Sequence, residues 1–161
     1  MPTHAEKRLL PHTPEKLYGL VADVEKYPEF LPWCMAVRVR DRETTEGGER
    51  IVADMAIGFK VFRERFTTKV ECKEPNDAHP DQFGRIDVTY SEGPFKYLNN
   101  HWVFEPKEGG QCEIDFYVDF EFRSALLQKA IGLVFNEAVG KMVNAFETRA
   151  QALYGNPRQS D

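Results

Sequence analysis

Cysteine is scarce in this 161-residue chain: Cys34, Cys72 and Cys112 are odd in number, far apart and without a C-x-x-C pair. That argues against a disulfide framework or a structural zinc site, and buried, reduced thiols are expected instead. No stretch approaches the roughly 20 apolar residues of a membrane span, and the opening MPTHAEKRLLPHTPEK has no apolar run suited to a signal peptide. The expected location is cytoplasmic, with peripheral contact at the inner membrane as a further option. Positive charge is not in surplus: 21 Lys and Arg face 26 Asp and Glu, for a net charge of -5. Nothing global therefore draws the chain to a phosphate backbone or an anionic membrane, although a local basic patch stays open. The four histidines, His4, His12, His79 and His101, lack metal-ligand spacing, and three of the four are expected at the surface. No glycine-rich phosphate loop occurs, and neither a metal nor a cofactor is expected.

What the chain has in quantity is aromatic bulk. Twelve Phe, six Tyr and two Trp sit in a sequence that is 29% charged, with a mean hydropathy of -0.52. The surface should be polar and the interior bulky. A chain of this length buries close to 70% of the surface its unfolded state exposes, enough for a proper core. A single domain over residues 1–155 is expected, with 156–161 as a polar tail.

The longest element is predicted over Ser124 to Tyr154. Apolar residues recur there at Leu127, Ile131, Phe135, Ala138, Met142, Phe146 and Leu153, with a second row through Ala130, Val134, Val139, Val143 and Ala150. That is the wide apolar face of one helix lying on something large and apolar. Ser124 is the candidate N-cap, and Gly155 followed by Pro157 is a stop signal. Gly132 and Gly140 interrupt the helix at a cost of about 1 kcal/mol each. They mark either close packing or simple tolerance, or else a place where missing side chains widen a cavity.

The rest reads as strands around turns. A short strand from Thr3 to Leu10 precedes the helix opener Thr13-Pro14-Glu15 and a short helix through Leu17, Leu20, Val21 and Val24. Met35, Val37 and Val39 then alternate with polar residues. After the Glu46-Gly47-Gly48-Glu49 turn, Ile51, Ala53, Met55 and Ile57 alternate with Val52, Asp54, Ala56 and Gly58, forming a hairpin. The next strand sets Glu64, Phe66, Thr68, Val70 and Cys72 against Arg63, Arg65, Thr67, Lys69 and Glu71. Beyond the polar loop Glu74 to Gln82, Ile86, Val88 and Tyr90 mark one strand and Leu98, Asn100, Trp102 and Phe104 the next. Cys112, Ile114, Phe116, Val118, Phe120 and Phe122 form the apolar side of the last. The fold class is thus α+β: an antiparallel sheet of about seven strands, covered by one long helix, with one or two short helices after the first strand. A sheet that long must curl, which leaves space beneath the helix.

Tyr27-Pro28-Glu29-Phe30-Leu31-Pro32-Trp33-Cys34 is the least ordinary segment. Two prolines make it a turn-rich connector, yet it carries more apolar area than an exposed connector should. It either caps the end of the core or forms the rim of a hydrophobic pocket.

This segment resembles the signature of the ubiquinone (coenzyme Q)-binding proteins of the START-like, helix-grip, polyketide cyclase/dehydrase superfamily. Gly93-Pro94-Phe95, the strand Asp115 to Phe122 and Phe146-Glu147-Thr148-Arg149-Ala150 match as well, so that the similarity runs from about Thr3 to Gly155. The resemblance implies a helix-grip domain that holds a prenylated quinone, ubiquinone, between sheet and helix. It would support quinone biosynthesis and respiratory electron transport as a carrier rather than as an enzyme. On that basis the cavity walls are expected to be Trp33, Phe66, Trp102, Phe104, Phe116, Phe120, Phe135, Val139 and Met142, with Tyr27, Phe30, Leu31 and Trp33 at the mouth. Members of the same branch are also associated with blocking ribosomal subunit association, for which the row Arg63, Arg65 and Lys69 is the matching feature. Partners are thus a prenylquinone or similar hydrophobic molecule, a transient membrane contact or a ribosomal subunit, and not DNA.

An enzyme, the cyclase reading included, needs an acid, base or nucleophile, and no persuasive set is present. Glu64 shares parity with Phe66 and Val70: it is either a strand-end residue near solvent or a buried carboxylate touching a ligand head group. Cys34 lacks a partner histidine nearby in sequence.

Overall fold

The computed structural model describes residues 3–155 apart from 32, 60–61 and 76–82. Pro32, His79 and the 156–161 tail therefore lie outside the described residues. Chain order is β1 (Thr3–Leu10), α1 (Pro14–Ala22), a 3-10 turn (Val24–Glu29), β2 (Cys34–Thr45), β3 (Gly48–Phe59), β4 (Phe62–Lys73), β5 (Gly84–Glu92), β6 (Phe95–Lys107), β7 (Gln111–Phe122) and α2 (Ala125–Tyr154). The seven strands form one antiparallel sheet in the order β1-β7-β6-β5-β4-β3-β2. Strands β2 to β7 run as a meander, and β1 returns to pair with β7. This is the expected helix-grip arrangement.

Local chemistry accounts for the element ends. The Thr13 hydroxyl accepts from the Lys16 N–H with Pro14 at the first helical position, and the Ser124 hydroxyl accepts from the Leu127 N–H at 3.2 Å. Gly155, at φ 70°, ends α2. Gly48 at the β2–β3 turn is required by close approach: a Cβ there would lie 1.8 Å from the Cys72 carbonyl oxygen.

Period-two patterning holds along most of β3 to β7, broken at the register shifts by Thr67 and Phe95, and its inward residues include Ile51, Ala53, Val70, Cys72, Ile86, Trp102, Phe104, Cys112 and Phe116, all buried. In β2 it fails at Met35, which is 56% exposed rather than inside with Val37 and Val39. The register shifts between Cys34 and Ala36, so Met35 is the extra residue of a β-bulge and turns outward. The connector reading is also corrected in part, because Val24–Glu29, including Tyr27 and Pro28, forms a 3-10 turn and Cys34 already belongs to β2.

Helix α2 buries Ile131, Phe135, Val139, Phe146 and Ala150. Leu153, expected on that face, is 51% exposed. Gly132 and Gly140 are exposed, and a Cβ at either would meet nothing within 4 Å. They neither pack closely nor widen a cavity. His12, one of the histidines that could have been at the surface, is buried instead, with its ring 5.9 Å from that of Tyr154. Burial, with the nearby Lys16 charge, lowers its pKa.

The core is split. A large cluster gathers α1, the sheet centre and the C-terminal half of α2, while a smaller one joins Phe95, Phe122 and Ile131 near the start of α2. Helix α2 is thus anchored towards both of its ends, and the void lies between the anchors.

Candidate ligand cavity

A cavity of about 200 Å³ lies between the sheet and α2. Two aromatic groups bracket it. Around Phe146, the rings of Trp102, Phe30 and Tyr27 stand edge-on at 5.0, 5.2 and 5.4 Å. Around Phe95, Phe122 stacks at 4.8 Å while Phe66 and Phe120 meet it edge-on at 5.2 and 5.6 Å. Such pairs contribute roughly 0.5–1.5 kcal/mol each beyond their buried area, so both ends of the cavity are held by aromatic contacts.

Of the residues expected from the sequence, Tyr27, Leu31, Trp33, Phe66, Trp102, Phe116, Phe120, Phe135, Val139 and Met142 line this cavity. Phe104 does not: it is wholly buried against the edge of the Tyr18 ring at 5.9 Å, as core. Phe30 does not either. It packs on Phe146 and under the Arg149 guanidinium, 5.2 Å from the ring, while Arg149 also pairs with Glu29 at 3.1 Å. Phe30 and Glu29 thus fasten the signature segment to α2. Glu64 keeps its inward parity opposite Ile57 but is not part of the lining.

Val88, Phe95, Asn100, Ala138 and Phe146, which the sequence places on apolar faces or in the family motifs without marking them as cavity walls, line the cavity as well. Strand parity was the available signal for Asn100, which sits between Leu98 and Trp102 on the inward side of β6. Its Nδ2 donates to the Tyr117 carbonyl at 2.8 Å, and its Oδ1 accepts from the Trp102 indole N–H at 3.2 Å.

Among the other polar groups of the lining, two hydroxyls are committed to backbone carbonyls. The Tyr27 hydroxyl donates to the Val21 carbonyl, and burial raises its pKa far above the ordinary phenol value. The Thr68 hydroxyl donates to the Ala53 carbonyl at 3.3 Å. Burial pushes the Cys34 thiol up to about 11, which keeps it protonated and poorly nucleophilic at neutral pH. The Trp33 indole N–H is buried with no hydrogen-bond partner. Among the described residues no group of His, Cys, Asp and Glu could hold a metal ion, and no helix is long and apolar enough to cross a membrane.

Outside the cavity, the inward side of β1 carries His4, Glu6 and Arg8. Glu6 accepts from Arg8 and bonds His4 at 2.8 Å, and Arg8 reaches Glu147 of α2 at 2.6 Å. The convex face of the sheet carries Arg38, Arg63, Arg65 and Lys69, none of which forms an ion pair among the described residues, with Arg40 paired to Asp54.

A curved antiparallel sheet gripping a long helix over an apolar cavity is the helix-grip fold. The chain belongs to the polyketide cyclase/dehydrase and lipid transport family, whose model matches residues 10–147. It is 36% identical over 154 residues to the ribosome association toxin RatA of Escherichia coli K12, covering 96% of this chain and 90% of that one. It is 31% identical over 156 residues to the mitochondrial coenzyme Q-binding protein COQ10 homolog B of Xenopus laevis, covering 94% of this chain and 59% of that one. A START superfamily protein from Mycobacterium smegmatis shares the fold with a TM-score of 0.74 at 15% identity, covering 94% and 98% of the two chains.

Proposed function

We propose that this protein binds a prenylated quinone such as ubiquinone, or a closely similar lipid, in the cavity between sheet and α2, and carries it without turnover. The observation that carries the reading is a cavity of about 200 Å³ walled almost entirely by aromatic and aliphatic side chains. A dry apolar void of about 150 Å³ already takes a benzene ring, so a substituted ring fits and a tail would continue along the apolar walls. Each buried methylene contributes about 0.8 kcal/mol, so a single isoprenoid unit outweighs one hydrogen bond of about 1 kcal/mol net. The tail sets affinity and polar contacts set orientation. The relative named for coenzyme Q binding supports the same reading.

The chain's only two tryptophans, Trp33 and Trp102, both line the cavity. Titration with a short-tailed ubiquinone, itself a quencher, should extinguish most of the tryptophan emission saturably at one equivalent. Unsaturable or negligible quenching of the folded protein defeats the reading.

A second reading, association with a ribosomal subunit, draws on the relative named as a ribosome association toxin and on Arg38, Arg63, Arg65 and Lys69 of the convex face, which form no ion pair among the described residues. Co-sedimentation with purified subunits that weakens steeply with salt, and is lost in Arg65→Glu/Lys69→Glu, supports it. Co-sedimentation unaffected by those changes removes the patch from consideration.

A further inference from the structure

We propose that Asn100 reads the head group of the cavity's ligand, and that it accepts the head in both oxidised carbonyl and reduced hydroxyl form. The inference rests on the lipid-binding reading and adds to it the chemistry at the far end of the tail.

Asn100 has hydrogen-bonding capacity left over. An asparagine amide offers two N–H donors and an oxygen with two lone pairs. One N–H goes to the Tyr117 carbonyl and one lone pair to the Trp102 indole N–H. Those partners fix the amide's orientation, because a carbonyl can only accept and an indole N–H can only donate. One N–H and one lone pair remain, on a side chain that is half-buried and lines the cavity.

No other lining side chain is placed for the task. Tyr27 and Thr68 spend their hydroxyl protons on backbone carbonyls, the Cys34 thiol is a weak donor, and the Trp33 N–H is sealed from the void. Asn100 is also rigidly set. It belongs to a row of paired residues running Val118, Asn100, Val88 and Val70 across four strands, so its amide is the polar point in an otherwise aliphatic band. A ligand without a polar atom there leaves the spare N–H unsatisfied in an apolar cavity, which is a penalty as well as a missed bond. A ring carbonyl satisfies the N–H, while a ring hydroxyl can donate to the spare lone pair. The same residue therefore holds a quinone and its quinol.

The test compares two ligands with one ten-carbon tail, a 2,3-dimethoxy-5-methyl-1,4-benzoquinone and a benzene with no ring oxygen. Both are measured by displacement of a fluorescent apolar dye from the lipid-free protein. The wild type should prefer the quinone by about fivefold, the ratio one net hydrogen bond supplies. Asn100→Leu should abolish that preference while binding the hydrocarbon at least as well. Asn100→Asp has the same shape, keeps the bond to the Tyr117 carbonyl only as the protonated acid, and has no spare N–H, so it should favour the quinol over the quinone. If the leucine variant does not fold, the aspartate variant alone decides. An unchanged quinone preference in the folded variants, or equal binding of both ligands by the wild type, overturns the role of Asn100 and leaves the lipid reading intact. If the wild type binds neither ligand, both readings fall.

Discussion

Ala138→Leu separates an open cavity from a filled core by the sign of its effect. Ala138 is half-buried on α2 and faces the void beside Phe135, Val139 and Met142. Leucine adds three carbons there and differs little from alanine in helix propensity. At about 0.8 kcal/mol per buried carbon, filling empty space stabilises the lipid-free protein by roughly 2 kcal/mol. For a chain of this size each kcal/mol moves the melting temperature by about 2–4 °C, so the midpoint should rise by roughly 4–8 °C. A core that is already packed would instead be strained by about 1–3 kcal/mol, and the midpoint would fall. The assay is thermal unfolding of the delipidated protein by circular dichroism, paired with a quinone titration. The leucine occupies space the ligand would use, and displacing two ligand methylenes costs about tenfold in affinity. A lower melting temperature with unchanged binding refutes the cavity argument.

Further predictions concern particular residues. Gly132→Ala and Gly140→Ala, at exposed helical positions with open space for a Cβ, should each stabilise the protein by about 1 kcal/mol in denaturant unfolding. Trp33→Phe keeps an aromatic ring, though a smaller one, and removes an unpartnered buried N–H, so lipid-free stability should be unchanged or higher, whereas Trp33→Ala should weaken ligand retention. Burial alone would raise the Glu6 carboxyl, but hydrogen bonds and charge from His4 and Arg8 hold it below its ordinary value. Its contribution is therefore complete above the usual glutamate pKa of about 4.3 and is lost as pH falls through the lower folded value. Glu6→Gln should flatten that acid limb of the stability curve, and an identical limb in both proteins would show that the β1–α2 network carries no linkage.

Much of the fold could be read from periodicity because its elements are long and one-sided. Strand β7 alternates without interruption from Cys112 to Phe122, and α2 carries its apolar stripe between a serine cap and a glycine stop. What escaped was local or three-dimensional. The bulge at Met35 depends on how β2 registers against β3, which alternation in one strand cannot reveal. Phe104 and Trp102 are adjacent in kind and share a face with Asn100, yet Phe104 lies against Tyr18 of α1 and Trp102 reaches the void. Parity assigns a face, whereas the helix that happens to cover each end of that face decides between core and cavity. The inward polar residues of β1 were missed for a related reason. His4, Glu6 and Arg8 break the apolar rule inside because Glu147 of α2 completes their ion pairs across 139 residues of chain.

The most direct test of the central claim is organic extraction of the protein purified from its native host, with bound lipids identified and quantified by mass spectrometry beside a Trp33→Ala control. A prenylquinone or closely similar lipid is expected at near one equivalent, reduced in the control. A folded protein that yields no lipid would contradict it and turn attention to the basic convex face and the ribosomal subunits.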